Sequence, residues 1–311
     1  MKLLHPAVVL VFTACQLRAD APALQRPPSP MPADMPRLAA VLTNSAGQPV
    51  TTPAQWAKRR EELRRAWTKV LGEFPKTKAP LAPQFLEKEE LAAFTRQKVT
   101  YQIEAGVRID AMLLEPRNAK GPLPAIVLFH PTYSNHYARA VGLEGQHEPE
   151  RAQAVQLAEH GYVVLAPRCF IYSELPPGFQ NKRERIWEAC ARWMKQRHPA
   201  WRSVTRMTWD GIRAVDFLQA LPQVDPRRIG VFGHSLGAKE VIYAAAFDER
   251  VKCAVSSEGG IGLEFSNWDA VWYLGPDIRN PGFERNNHEL LAMIAPRPFL
   301  LLAGNSADTD K

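Results

Sequence analysis

Ile229-Gly230-Val231-Phe232-Gly233-His234-Ser235-Leu236-Gly237-Ala238-Lys239-Glu240 is the stretch on which the reading of this chain turns. A short apolar run breaks at a glycine, presents one serine, and resumes after a second glycine as an apolar stretch reaching Phe247. Strand, sharp turn and helix in that order place a serine at a strained corner. The glycines stand where a Cβ would clash, and the hydroxyl projects above the sheet edge. The helix that begins there favours negative charge developing at its N-terminus. Ser235 is therefore the candidate nucleophile.

Outward from this corner, further short apolar runs carry little alternation: Ala125 to Phe129, Tyr162 to Ala166, Lys252 to Val255 and Phe299 to Ala303. Such runs read as strands buried on both faces, as in a parallel sheet. Helical patterns lie between them, over Glu150 to His160, Thr208 to Leu221, Ala238 to Phe247 and His288 to Ile294. Strand alternating with helix predicts an α/β fold, a doubly wound and mostly parallel sheet. Ahead of it, Gln97 to Glu104 and Arg108 to Leu114 alternate around Ala105-Gly106, which predicts a β-hairpin. Residues 22–95 read as a Pro-rich linker followed by a helical extension. Its helix spans Gln55 to Leu71, with Trp56, Leu63, Trp67, Val70 and Leu71 on one face and Gly72 and Pro75 as stops. The main domain is expected over 96–311. Within it, 170–206 carries Trp187, Trp193 and Trp201 among many cations, either as a lid over the site or as helices packed on the sheet.

Acyl transfer needs two backbone donors aimed at the oxyanion. The Leu236 amide, next to the serine, is one. The other is expected in the loop after the first buried parallel strand, Phe129-His130-Pro131-Thr132-Tyr133, from Thr132 or Tyr133, because Pro131 has no N–H. His130 beside that loop is expected to bond structurally instead of acting as the base.

With the Gly233 to Gly237 turn, Asp248-Glu249-Arg250-Val251 and Ala295-Pro296-Arg297-Pro298, the chain from about Arg96 to its end resembles α/β-hydrolases of the dienelactone hydrolase and acetyl xylan esterase-like group. It is also similar to the glucuronoyl esterases. The resemblance implies a triad in the order serine, acid, histidine. The acid then falls in the loop after the last strand, at Asp308 with Asp310 beside it, or, as in some glucuronoyl esterases, at Glu258 in Ser256-Ser257-Glu258-Gly259-Gly260. The resemblance places the histidine after the acid, so it is expected beyond Lys311, with the sequence truncated and the truncated chain inactive. It makes Lys239 a contact for sugar hydroxyls, where the residue alone reads equally as a lysine reaching from the helix to solvent. Trp268, Trp272 and Tyr273 read either as surfaces that stack on a sugar ring or as filling of the cleft wall. The chain departs from the glucuronoyl esterases at Leu236, where they carry arginine.

Residues 1–21 have the layout of a signal peptide: Lys2, an apolar stretch from Ala7 to Ala14, then Ala19 and Ala21. Secretion or periplasmic export is expected, with lipidation of Cys15 as an alternative processing and the only membrane attachment foreseen. The apolar run is far shorter than the ~20 residues that span a bilayer. Of the cysteines that remain, Cys253 is expected to be buried, and Cys169 with Cys190 to be a possible disulfide. The net charge of +7 is interleaved with glutamates, as in Lys58 to Arg65, so no nucleic-acid partner is expected. No G-x-G-x-x-G and no metal-spaced His cluster appears, so neither cofactor nor metal is expected. The function read from the sequence is a secreted serine hydrolase of carboxylic esters acting on a small-molecule or polysaccharide ester, of the acetyl xylan or glucuronoyl type. Two rivals stand beside it, a peptidase related to prolyl oligopeptidase and a non-catalytic binding protein on a hydrolase fold.

Overall fold

Runs with apolar side chains on both faces can only be satisfied inside a sheet covered on both sides, and the strands assemble that way. The computed structural model describes residues 38–117, 120–132, 134–145, 148–180 and 185–303. Its strands are β1 (Gln84–Glu90), β2 (Phe94–Glu104), β3 (Val107–Pro116), β4 (Leu123–Phe129), β5 (Val163–Pro167), β6 (Val224–His234), β7 (Val251–Ser257) and β8 (Phe299–Leu302). Its helices are α1 (Pro53–Leu71), α2 (Ser134–Ala140), α3 (Gln153–Glu159), α4 (Ile186–Arg197), α5 (Ser203–Ala220), α6 (Leu236–Phe247) and α7 (His288–Ile294). The strands form one sheet in the order β1-β2-β3-β5-β4-β6-β7-β8. From β5 through β4, β6 and β7 to β8 every pairing is parallel, and β1, β2 and β3 are antiparallel additions at one edge. This is the expected α/β architecture, with the hairpin closing at Glu104↔Val107.

Side-chain alternation along the central strands divides the core into two layers. Val163 and Leu165 of β5 and Ala125, Val127 and Phe129 of β4 join α5 and α6 in the larger cluster. Val164, Ala166 and Leu128 face the other way, toward Ala140, Ala154 and Ala158 of α2 and α3.

The sheet begins ahead of the boundary expected at residue 96. Strand β1 pairs with β2, yet every one of its residues is exposed and its sequence, QFLEKEE, is mostly charged or polar. An edge strand of that kind shows no apolar periodicity, which is why it was not foreseen. Helix α1 forms where expected. Thr52 caps it, accepting from the Gln55 amide at 3.2 Å while its own amide donates to Gln55 Oε1 at 3.0 Å. Leu63, Trp67 and Leu71 are the face it buries, and the Trp67 indole donates to Glu289 Oε2 of α7 at 2.9 Å.

The described part of residues 170–206 packs in two directions. Trp201 is buried with its indole on the Glu73 carbonyl, and α4 packs Ala189, Cys190 and Met194 inward. Trp187 turns instead toward Trp272, ring centroids 5.6 Å apart. Cys169 and Cys190 are buried and are not joined in a disulfide. Cys253 is exposed, contrary to expectation. Alternation along β7 and the Val255↔Leu300 and Ser257↔Leu302 register put it on the face shared with Leu300 and Leu302, which the described residues leave open.

Trp67 ties the extension to the core, also meeting Tyr243 edge-on at 5.8 Å. Replacing it by alanine is expected to cost about 3–5 kcal/mol of unfolding free energy in urea titration. A loss below 1 kcal/mol would mean that α1 is an ornament on the fold.

Candidate active site

Strand β6 runs directly into Ser235, whose backbone sits at φ 56°, ψ −112° before α6 starts at Leu236. A non-glycine residue in that region carries strain of about 1–3 kcal/mol, held only where surrounding structure imposes it. Here the two glycines impose it. A Cβ on Gly237 would lie 2.0 Å from the Phe129 carbonyl oxygen, and one on Gly233 would lie 2.3 Å from the Gly237 carbonyl. The Ser235 amide donates to the Ser257 carbonyl at 2.8 Å, tying the corner to the end of β7. Leu236 is the first helical residue, so its N–H has no carbonyl one turn back and is free to serve an oxyanion.

The loop after β4 lies beside this corner because Gly237 packs on Phe129. His130 is 1% exposed. The Cys169 amide donates to its Nε2 at 3.0 Å, so Nδ1 carries the ring proton and donates to the Pro131 carbonyl at 2.7 Å. The expected structural role is what the geometry supports. Thr132 is held from two sides: the Tyr172 hydroxyl donates to its carbonyl at 2.9 Å, and its side chain bonds the buried Tyr273 hydroxyl. Tyr133, the other oxyanion candidate, lies outside the described residues.

Glu258 follows β7 at φ 56°, with its amide on the Leu302 carbonyl at 2.8 Å and its side chain exposed. Its carboxylate has no partner among the described residues. Asp308 and Asp310 lie outside the described residues. Nor does any described imidazole bond the Ser235 hydroxyl; His234 turns its Nδ1 to Ser257 Oγ at 3.1 Å.

Lys239 and Trp268 are not where a sugar would meet them. Lys239 is 4% exposed, and its Nζ donates to the Gly259 carbonyl at 2.7 Å and to Ser266 Oγ at 2.5 Å. Trp268 is fully buried 4.1 Å beneath that ammonium, its indole on the Gly260 carbonyl. Both residues build the wall under the Glu258 loop, and the half-buried Trp272 takes the outward position. Burial pulls the Lys239 pKa down to about 7.

Below the serine lies a layer of charge that sequence reasoning missed. Glu240, on the helix that carries Ser235, is buried and bonds Cys169; burial, then the neighbouring Asp210, pushes its pKa well above the usual carboxylate range. Burial raises Asp210 to about 7 against the pull of Arg206. Arg206 is fully buried, bonding Asp210 at 2.7 Å and Glu174. The available signal was a charged residue inside an otherwise apolar run, Glu240 before Val241-Ile242-Tyr243.

Comparison with known proteins gives the family and the fold. The profile of the dienelactone hydrolase family matches residues 109–269, just over half of the chain. Among curated proteins, YtaP of Bacillus subtilis, which bears the name of a hydrolase, is 26% identical over 254 residues, covering 79% of this chain and 80% of that one. The 4-O-methyl-glucuronoyl methylesterase 1 of Sodiomyces alcalophilus is 27% identical over 133 residues, 34% of this chain and 27% of the relative. Among solved structures, a glucuronoyl esterase from Solibacter usitatus superposes with a TM-score of 0.67 at 23% identity, covering 86% of this chain and 80% of that one. At that identity the likeness shows the fold, that of the α/β-hydrolases.

The depressed Lys239 pKa has a consequence for stability. Between about 7 and the ordinary value of 10.5, the unfolded chain binds a proton that the folded chain does not, so stability should rise with pH through that window. The difference in unfolding free energy between the wild type and Lys239→Met, measured by denaturant titration at pH 7 and pH 10, should grow in favour of the wild type. An unchanged difference would show the ammonium retained in the fold by its two acceptors and the Trp268 ring.

Proposed function

The chain belongs to the dienelactone hydrolase family, and on that footing we propose that it is an exported serine esterase acting on an ester of a plant-type polysaccharide, a uronate ester ahead of an acetyl group. The single observation that carries the proposal is the strained Ser235 corner, wedged by Gly233 and Gly237 at the start of α6. Strain at a solvent-reaching serine with an unpaired helix amide beside it suits nucleophilic attack. The uronate preference draws on the names of the relatives and on the fold they share.

In this reading Ser235 Oγ bonds to the ester carbonyl carbon as its proton passes to a histidine base. The Leu236 and Thr132 amides hold the oxyanion, and the alcohol leaves with the proton from that histidine. Water then repeats the sequence on the acyl-serine and releases the acid. The described residues contribute no such histidine. For the acid that orients it, the geometry favours Glu258 over Asp308. Its backbone is strained and bonded across the β7–β8 end, and its carboxylate is left unpaired. Lys239 then serves the acid loop, and Trp272 is the aromatic surface offered to a sugar. Export rests on the layout of residues 1–21; among the described residues no helix is long and apolar enough to cross a membrane.

The test is hydrolysis by the purified protein, using p-nitrophenyl acetate for the nucleophile and the methyl ester of 4-O-methyl-glucuronate against acetylated xylan for the substrate. Ser235→Ala should abolish turnover with a fold intact by circular dichroism. Glu258→Gln should lose about 10³-fold or more in kcat, while Asp308→Asn keeps most of its rate. Full activity in Ser235→Ala would end the serine mechanism, and the reverse order of the two acid variants would return the role to Asp308.

A further inference from the structure

We infer that Arg206 is a positioning residue for the oxyanion loop, acting through the turn that carries Tyr172. The inference rests on the esterase reading above for its catalytic meaning, and on geometry alone for the positioning itself.

Arg206 lies in α5 with none of its side chain exposed. A guanidinium in the interior is strongly unfavourable unless paired and hydrogen-bonded, and a packed apolar side chain would often stabilise the fold as well. Neutralisation is already supplied within the same helix by Asp210, four residues on and 2.7 Å away. The contact that reaches elsewhere is the one to Glu174. The guanidinium also lies over the Phe170 ring, 5.3 Å from its centroid, so it grips residues 170–174 at both ends. Arg197 of α4 bonds the same glutamate.

The gripped segment is itself a closed turn. The amides of Ser173 and Glu174 both donate to the Phe170 carbonyl, at 3.1 and 3.0 Å, and the Tyr172 amide donates to Cys169 at 3.0 Å. From it two donors reach the oxyanion loop: the Cys169 amide to His130 Nε2 at 3.0 Å and the Tyr172 hydroxyl to the Thr132 carbonyl at 2.9 Å. That loop has left the sheet, since β4 ends at Phe129, and Pro131 has no N–H to anchor it. The Thr132 N–H shares its peptide plane with the Pro131 carbonyl, which His130 Nδ1 holds at 2.7 Å, and the Tyr172 hydroxyl holds the carbonyl on the other side of the same residue, so Thr132 is fixed from both sides. The path therefore runs from a buried ion pair, through a rigid turn and its two donors, to the residue whose N–H is to meet the oxyanion.

Tyr172→Phe removes one hydroxyl and little else; Arg206→Lys keeps the charge but loses the fork that spans two carboxylates. Both variants, and the two combined, are to be made in the full protein. Amide hydrogen exchange should quicken in the peptide covering residues 128–134 in each, with the β6–β7 strands unchanged. On the glucuronate methyl ester kcat should fall roughly ten- to a hundredfold with KM unmoved, and the double variant should be no slower than the slower single one, because both cut the same path. Wild-type exchange and wild-type kcat in Tyr172→Phe would overturn the inference even if Arg206→Lys fails to fold. Multiplied losses in the double variant would overturn it as well. A wild type without Ser235-dependent turnover would sink the esterase reading instead, and the exchange measurement would still decide the positioning.

Discussion

The contact on which the site depends is the approach of Gly237 to the end of β4. The backbone of the first turn of α6 lies so close to the Phe129 carbonyl that a methyl group would sit 2.0 Å from it. That approach brings the start of the helix against the point where β4 leaves the sheet. The Leu236 amide and the His130 to Thr132 loop become neighbours although a hundred residues separate them. Ser235, between Gly233 and Gly237, has no ordinary backbone conformation left to adopt, and its positive φ follows. The strained Ser235 backbone, the Leu236 amide and the Thr132 loop beside it are thus one packing event, not three separate designs.

Around that contact the polar groups are arranged in two tiers. The outer tier secures the Glu258 loop: Ser235 holds the Ser257 carbonyl, Lys239 the Gly259 carbonyl and Trp268 the Gly260 carbonyl. The inner tier secures the loop after β4, through Arg206, Glu174, Tyr172 and Thr132. Both start from helices that are buried almost throughout, α5 and α6. Buried charges satisfied in this way cost stability relative to an apolar core, and they specify geometry in exchange. Glu240 beside them is pushed toward its neutral form by burial and by the neighbouring Asp210, which is itself paired with Arg206.

What the sequence determined by itself were the features that local physics writes into a few consecutive residues. The strand–turn–helix of 229–247, the hairpin at Ala105-Gly106, the capped helix ending at Leu71 and the doubly buried runs of the parallel sheet all follow from propensity, periodicity and turn chemistry. The placing of Ser235 is of this kind, since the glycines two residues away on each side already state the constraint. Strand β1 failed the same test because a solvated edge strand owes its existence to the partner β2 and carries no pattern of its own.

Only the tertiary structure decided which polar and aromatic residues face the site. Lys239 and Trp268 stand at spacings that suit a sugar contact, but fold into the wall; Cys253 sits in an apolar run, but on an open face; Arg206 reads as one more helical cation, but is wholly buried. Each outcome is set by a partner far along the chain: Gly259 for Lys239, Leu300 and Leu302 beside Cys253, Glu174 for Arg206. Such pairings depend on how whole elements stack, and no local window of sequence contains both members.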